Sequence, residues 1–431
     1  MAQGCVHSGL DVFQVPGLQT AIEDSEVTEF RSVAALSSDG PVEFVIPGGA
    51  SYLDLANSYL RVRAKVTLPD GSDVAAAQNV VPANLLLHSM FSDVSVFLGG
   101  VQVSSCSGAY PYLAYLQTLL SYSMEPKFAQ LQGAFWHHDT AGHFNTFDGN
   151  NNKGAKDRRQ RTAQSKVVDM CDRLRSDLFH QSRFLLNHVD VRIKLTRSKN
   201  PFVLCSSMAL ADRPDFKLEI VDIGFFARRI GVNPSINLAI EKTLQNATAK
   251  YPLTRLVMRI YTAPANSLNF SVDNMFLDRL PNRIVVGFVK ATAYNGNFEE
   301  NPFFFHHCDI NQLSLYHEGR QIPSKGFTPD FTSHQYTRSY MSLFTETNTA
   351  WSDRSCGIPL DDYAGGNTVW VFDLTHGKSH APESVTEVSR AGPLRFECRF
   401  KKALTEAYNL IVYAEFDGRI EISRSREVLV L

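Results

Sequence analysis

The chain repeats itself at about half its own length. Val94–Val103 reads Val-Ser-Val-Phe-Leu-Gly-Gly-Val-Gln-Val, and Leu313–Ile322 reads Leu-Ser-Leu-Tyr-His-Glu-Gly-Arg-Gln-Ile. Apolar residues match at the first, third, fourth and tenth positions, and Ser, Gly and Gln recur in place. Each segment alternates as a β-hairpin around a two-residue turn, Gly99-Gly100 in one and Glu318-Gly319 in the other. Glycine supplies the positive φ that such turns need. Other landmarks recur at nearly the same offset. Leu60–Val66 and Ile284–Val289 alternate, and Tyr112–Leu120 and Tyr336–Phe344 are helix-like. A period this long predicts two similar domains and not a solenoid of short units. A length of 431 residues suits two domains of about 200.

The 44% hydrophobic and 20% charged fractions are ordinary for a globular protein. Aromatics are plentiful, with 29 Phe and 15 Tyr, as β-rich cores and interfaces prefer. A net charge of −2 argues against nucleic-acid binding by the whole protein. Seven cysteines are scattered without a Cys-x-x-Cys, which predicts reduced thiols and synthesis in a reducing host compartment, cytoplasm or nucleus. No signal-peptide pattern and no 18-residue apolar run is visible, so no membrane span is expected. Two sequons, at Asn246 and Asn269, are then unmodified coincidences.

Residues 1–40 read as an N-terminal arm with an acidic cluster around Glu23, or as a frayed terminus. Alternating runs place a first β-domain over 41–230. Within it, 136–166 is rich in His, Asn, Gly and basic residues, and predicts a long surface loop. Over 231–250 a connecting helix is expected, with Asn233 as cap and Pro234 at the first helical position. The second β-domain spans 251–431, and Asp417-Gly418 reads as another type I′ turn. About eight short strands per half, few helices and long excursions predict an all-β protein of two tandem eight-stranded jelly rolls, with short helices in the connections.

Candidate chemistry is sparse. His137, His138, Asp139 and His143 contain metal-ligand residue types, but no second cluster has zinc-site spacing, so a polar loop is the favoured reading. His306-His307-Cys308-Asp309 is flanked by strand residues, which would send its members to alternate faces. Asp361-Asp362 lacks a glycosidase arrangement, and Gly99-Gly100 and Gly365-Gly366 lack the Lys-Ser/Thr of a phosphate loop. No catalytic, cofactor or metal residue is assigned. The basic run Lys153, Lys156, Arg158, Arg159 and Arg161 is the candidate contact site, for a host surface or for a genome, unless it is a solvated loop tip.

Several segments together resemble one family. They are Leu280–Val289, Tyr294–Phe298, Asn301–Phe305, the hairpin end Gly319–Pro323, Pro329–Phe331, Arg338–Phe344 and Asn409–Ile422. They are similar to the double jelly-roll, hexon-like major capsid proteins of Polinton/Maverick elements and adenovirus-like (adintovirus-type) small DNA viruses of animals. The likeness is dense over 251–431 and patchier before it, and 136–166 looks particular to this chain. It implies homotrimers of pseudo-sixfold outline tiling an icosahedral shell, a virion location, penton and minor capsid proteins as partners, and no enzymatic activity. The rivals are a carbohydrate-binding or hydrolytic β-sandwich, and a penton or minor capsid component, which would typically carry one roll.

Overall fold

The computed structural model describes residues 18–36, 40–353, 355–375, 377 and 390–431. The first half contains β1 (Ile22–Arg31), β2 (Val42–Ile46), β3 (Tyr52–Thr67), β4 (Phe91–Leu98), β5 (Val101–Ser104), β6 (Val168–Asp172), β7 (Val191–Arg197) and β8 (Lys217–Val232). They form two antiparallel sheets, ordered β1-β8-β3-β6 and β2-β7-β4-β5. The second half contains β9 (Ala249–Ala263), β10 (Asn269–Val272), β11 (Arg283–Lys290), β12 (Ile310–His317), β13 (Arg320–Phe327), β14 (Val369–Asp373), β15 (Leu394–Phe400) and β16 (Tyr408–Ile422). Their sheets are ordered β9-β16-β11-β14 and β10-β15-β12-β13, and a short β17 (Val428–Val430) pairs with the end of β16. Each strand of the first half thus has its counterpart eight strands later. The protein is an all-β double jelly roll.

Local sequence explains many of these strands. In β7, Val191, Ile193 and Leu195 are buried and Arg192 and Lys194 exposed, the period of two that puts one face on a core. In β11 the run Ile284–Val289 is buried on both faces, so it shows no alternation. Between β4 and β5, Gly99 and Gly100 have φ of 53° and 85°, and between β12 and β13, Glu318 and Gly319 have φ of 49° and 79°. These positive pairs match the right-handed twist of the flanking strands.

Asp417-Gly418 is not a turn. β16 runs straight through both residues, because β9 pairs with it without interruption from Ala249↔Ile422 to Ala263↔Tyr408. Gly418 opposes Leu253, and a Cβ there would come within 2.6 Å of Arg255 Cγ. Its glycine serves a close approach of side chains, not a reversal.

Two other expectations change. Residues 22–31, expected within the arm, are β1, an edge strand held to β8 by backbone pairing. Its polar sequence hides it, since an edge strand with acidic side chains buries little. Residues 1–17 and 37–39 of the arm lie outside the described residues, and Cys5 with them. Cys106, Cys171, Cys205, Cys308, Cys356 and Cys398 are free thiols.

Residues 136–166 are packed and not a projecting loop. Trp136, Phe144, Phe147 and Ala155 are buried there. The segment follows helix α1 (Tyr110–Ser121) and includes helix α2 (Lys153–Thr162), whose cap Asn152 accepts from the Ala155 amide. Helix α3 (Pro234–Thr243) follows β8, with Asn233 as its cap. One continuous apolar cluster spans both rolls.

Candidate functional site: the seam between the rolls and the exposed edges

The two rolls meet along a seam that combines aromatic, ionic and edge-strand contacts. The aromatic part is built from α1. Pro111 stands in the first turn of this helix, and nearly all its side chains are buried. Tyr112 and Tyr115, one turn apart, face the Phe303–Phe305 segment of the second roll. Tyr115 stacks on Phe303 at 4.4 Å between centroids, and Tyr112 meets the same ring edge-on at 5.7 Å. The Tyr115 hydroxyl donates to Asn367 Oδ1 at 3.2 Å. Each such aromatic pair contributes about 0.5–1.5 kcal/mol beyond burial alone.

Beside it lies a buried polar layer. Arg158 and Asp139 pair at 2.9 Å with side chains 1% and 2% exposed. The Arg158 guanidinium also donates to the Pro82 and His137 carbonyls, so the charge is fully coordinated. Asn301, from the second roll, donates to the Phe144 carbonyl at 3.1 Å. Arg158 is therefore a structural ion and not part of a surface contact run. Lys153, Lys156 and Arg161 are exposed and Arg159 half-buried along the outer side of α2.

The histidine clusters diverge. His138 pairs with Asp362 at 2.7 Å, Asp139 goes to Arg158, and burial followed by the Arg158 charge pushes the buried His137 imidazole down to about 3. His306 stacks on Phe304, whereas His307 stacks on Phe331 and pairs with Asp309 at 3.3 Å. Asp361 is exposed while Asp362 is buried against His138. Gly366 has φ of 155°, and a Cβ there would strike the Phe144 ring at 2.5 Å. Among the described residues no group of three metal-ligating side chains converges.

The third part of the seam covers β9, the edge strand of the second roll. The connection between β6 and β7 lies along it. Asp177 Oδ1 accepts the Leu256 amide at 3.3 Å, the Tyr251 hydroxyl donates to the Phe184 carbonyl, and the Leu186 amide donates to the Tyr251 hydroxyl. Arg183 donates to the Lys250 carbonyl. A cavity of about 440 Å³ remains beside these contacts, lined by Asp177, His180, Arg283 and Glu415 among others. Glu415 is held by Arg283 at 2.5 Å and by the Tyr413 hydroxyl at 2.7 Å. Burial pushes the Asp177 carboxyl up to about 7, against the opposing pull of Arg255 and the Leu256 amide. Burial pushes the His180 imidazole down to about 3. Of these groups Asp177 links the two rolls, whereas Glu415 is held within the second.

Sequence reasoning missed most of the seam. Phe303 and Phe305 stood within a recognised segment, but nothing local pairs them with Tyr115, and Asp177 carries no motif. Outside the seam, Val27, Leu238 and Trp351 are prominent exposed apolar residues, at 52%, 72% and 91%. No helix among the described residues is long and apolar enough to cross a membrane.

No family model matches the chain. An uncharacterised protein of Caenorhabditis elegans is 23% identical over 429 residues, covering 96% of this chain and 99% of that protein. Among solved structures, one from the Sputnik virophage aligns with a TM-score of 0.65 and 13% identity over 100% of this chain and 93% of that one. The Faustovirus major capsid protein aligns at 0.59 and 10% identity over 96% and 93%. The mavirus major capsid protein aligns at 0.56 and 12% identity over 100% and 95%. At these identities the likeness is one of fold.

Proposed function

We propose that this chain is the major capsid protein of a double-stranded DNA virus or virus-like element, and that it assembles as pseudo-hexameric homotrimers tiling an icosahedral shell. One observation carries the reading. Two rolls with the same strand order stand in tandem, and the whole chain, not one roll of it, superimposes on nearly whole viral major capsid proteins. The proposed units are the first roll over 41–230 with β1 added, the connecting helix over 231–250 and the second roll over 251–431. Two similar rolls per chain give three chains six corners. A full-length relative in a nematode suits an element of the Polinton/Maverick kind carried by animals. In this reading the protein is not an enzyme and resides in the virion. Penton and minor capsid proteins complete the shell, and Lys153, Lys156, Arg159 and Arg161 offer a contact to a host surface or the genome. Negative-stain imaging of the purified protein tests the proposal. It predicts particles of hexagonal outline, and uniformly small single-chain particles would refute it.

A further inference from the structure

The two rolls are equivalent strand for strand, but their edges are not treated alike. In the second roll, the edge strand β9 is covered by the first roll. From Tyr251 to Met258 none of its residues is exposed. The counterpart in the first roll is β1. From Glu23 to Val27 every residue of β1 is exposed.

Register makes the comparison exact enough to name positions. Leu60 of β3 and Ile284 of β11 occupy matching places in the repeat. Leu60 pairs with Phe225, which pairs with Phe30. Ile284 pairs with Ala414, which pairs with Val257. Phe30 therefore stands where Val257 stands, Glu29 where Leu256 stands, and Val27 where Thr254 stands. Leu256 is the residue whose amide Asp177 caps across the seam. Within one chain nothing plays that part for β1 among the described residues. An open edge strand with an exposed valine is a pairing hazard unless something covers it.

We infer that the β1 edge, centred on Val27 and Glu29, is the seat for the second roll of a neighbouring copy of this chain. The intrachain seam supplies the argument. If the first roll seats on the second roll's edge within a chain, the same packing repeated between chains seats the second roll of one copy on the first roll of the next. Contacts of that kind are heterologous, and they close into a ring when the rotation allows. With two rolls per chain, three copies alternate the two kinds of contact around six positions. The inference rests on the homotrimer proposed above and adds the surface that makes it.

Two measurements on the full-length chain test it. The first is the mass of wild type and Val27→Arg by light scattering after gel filtration. The second is hydrogen exchange over residues 24–30 in both. Val27 is exposed in the single chain, so Val27→Arg should keep the wild-type circular dichroism. The expected result is a wild-type trimer, a monomeric variant, and exchange at 24–30 slowed by about tenfold or more in the trimer only. A wild-type trimer with fast exchange at 24–30, or with undiminished stability in Val27→Arg, overturns the inference and leaves the capsid reading standing. Protection that persists in a monomeric variant assigns the cover to the chain itself and also overturns it. A wild-type monomer at all concentrations overturns the capsid reading and this inference with it.

Discussion

The ring of Tyr115 in the first roll lies parallel to that of Phe303 in the second, with planes 2° apart and centroids separated by 4.4 Å. Both residues are buried, and the Tyr115 hydroxyl reaches across to Asn367. One side chain thus joins the rolls by both stacking and a hydrogen bond.

Removing it should weaken the whole chain. Tyr115→Ala should cost on the order of 3–5 kcal/mol in urea unfolding, the range for deleting a buried aromatic ring. Tyr115→Phe keeps the stack and loses the bond to Asn367, and should cost about 1 kcal/mol. Equal losses for the two variants would show that the stack adds nothing.

Arg158 and Lys156 stand two residues apart on α2 and should behave oppositely. Arg158→Ala leaves Asp139 buried and unpaired, with an expected loss of about 3–5 kcal/mol. Lys156→Ala changes an exposed side chain and should fall within about 0.5 kcal/mol of wild type. Chemical denaturation of both variants separates the structural cation from the surface one.

The two glycines Gly319 and Gly418 distinguish a turn from a straight strand. Gly319 has φ of 79° with open space where a Cβ would stand. Asparagine tolerates that conformation, so Gly319→Asn should change stability by less than about 1 kcal/mol, while Gly319→Val should cost more. At Gly418 the obstacle is Arg255 and Leu253, so Gly418→Asn should destabilise the second roll despite ordinary strand geometry. Thermal midpoints of the three variants give the order.

These residues also mark what the sequence could reveal. The hairpin turns at Gly99-Gly100 and Glu318-Gly319 are local devices, the alternation around Leu60 is a local pattern and the apolar run from Ile284 recurs at the same offset, so the duplication was legible. Asp417-Gly418 carries the same turn signature, but β9 runs alongside all of β16, and that long pairing outweighs it. The segment 136–166 reads as solvated because its charge is high. Its buried status depends on Arg158 meeting Asp139, on Trp136 entering the core and on Asn301 arriving from the distant connection between β11 and β12. β1 buries too little to alternate, and the Asp177–Leu256 contact joins residues that no motif connects.

Asp177 makes stability depend on pH in a defined direction. Its carboxyl is raised from an ordinary 3.8 to about 7 by burial. A group raised in the folded state contributes stability that is full below its unfolded value and is lost as pH rises through the folded one. Asp177→Asn keeps an acceptor for the Leu256 amide and removes the titration. The variant should therefore gain on wild type as pH rises from about 5 to 8. The imidazoles of His137, His180 and His306, each lowered to about 3 chiefly by burial, act in the opposite sense as pH falls. They are common to both proteins and cancel in the difference. A constant difference in thermal midpoint across that interval would remove Asp177 as the cause.

The most direct measurement of the central claim is the mass of the purified full-length chain in solution. Light scattering coupled to gel filtration should give a monodisperse species of three times the chain mass, unchanged by reducing agent or chelator. A stable interface of this kind typically buries over about 2,000 Å², so the species should persist on dilution. A monodisperse single chain at every concentration in the micromolar range would contradict the account.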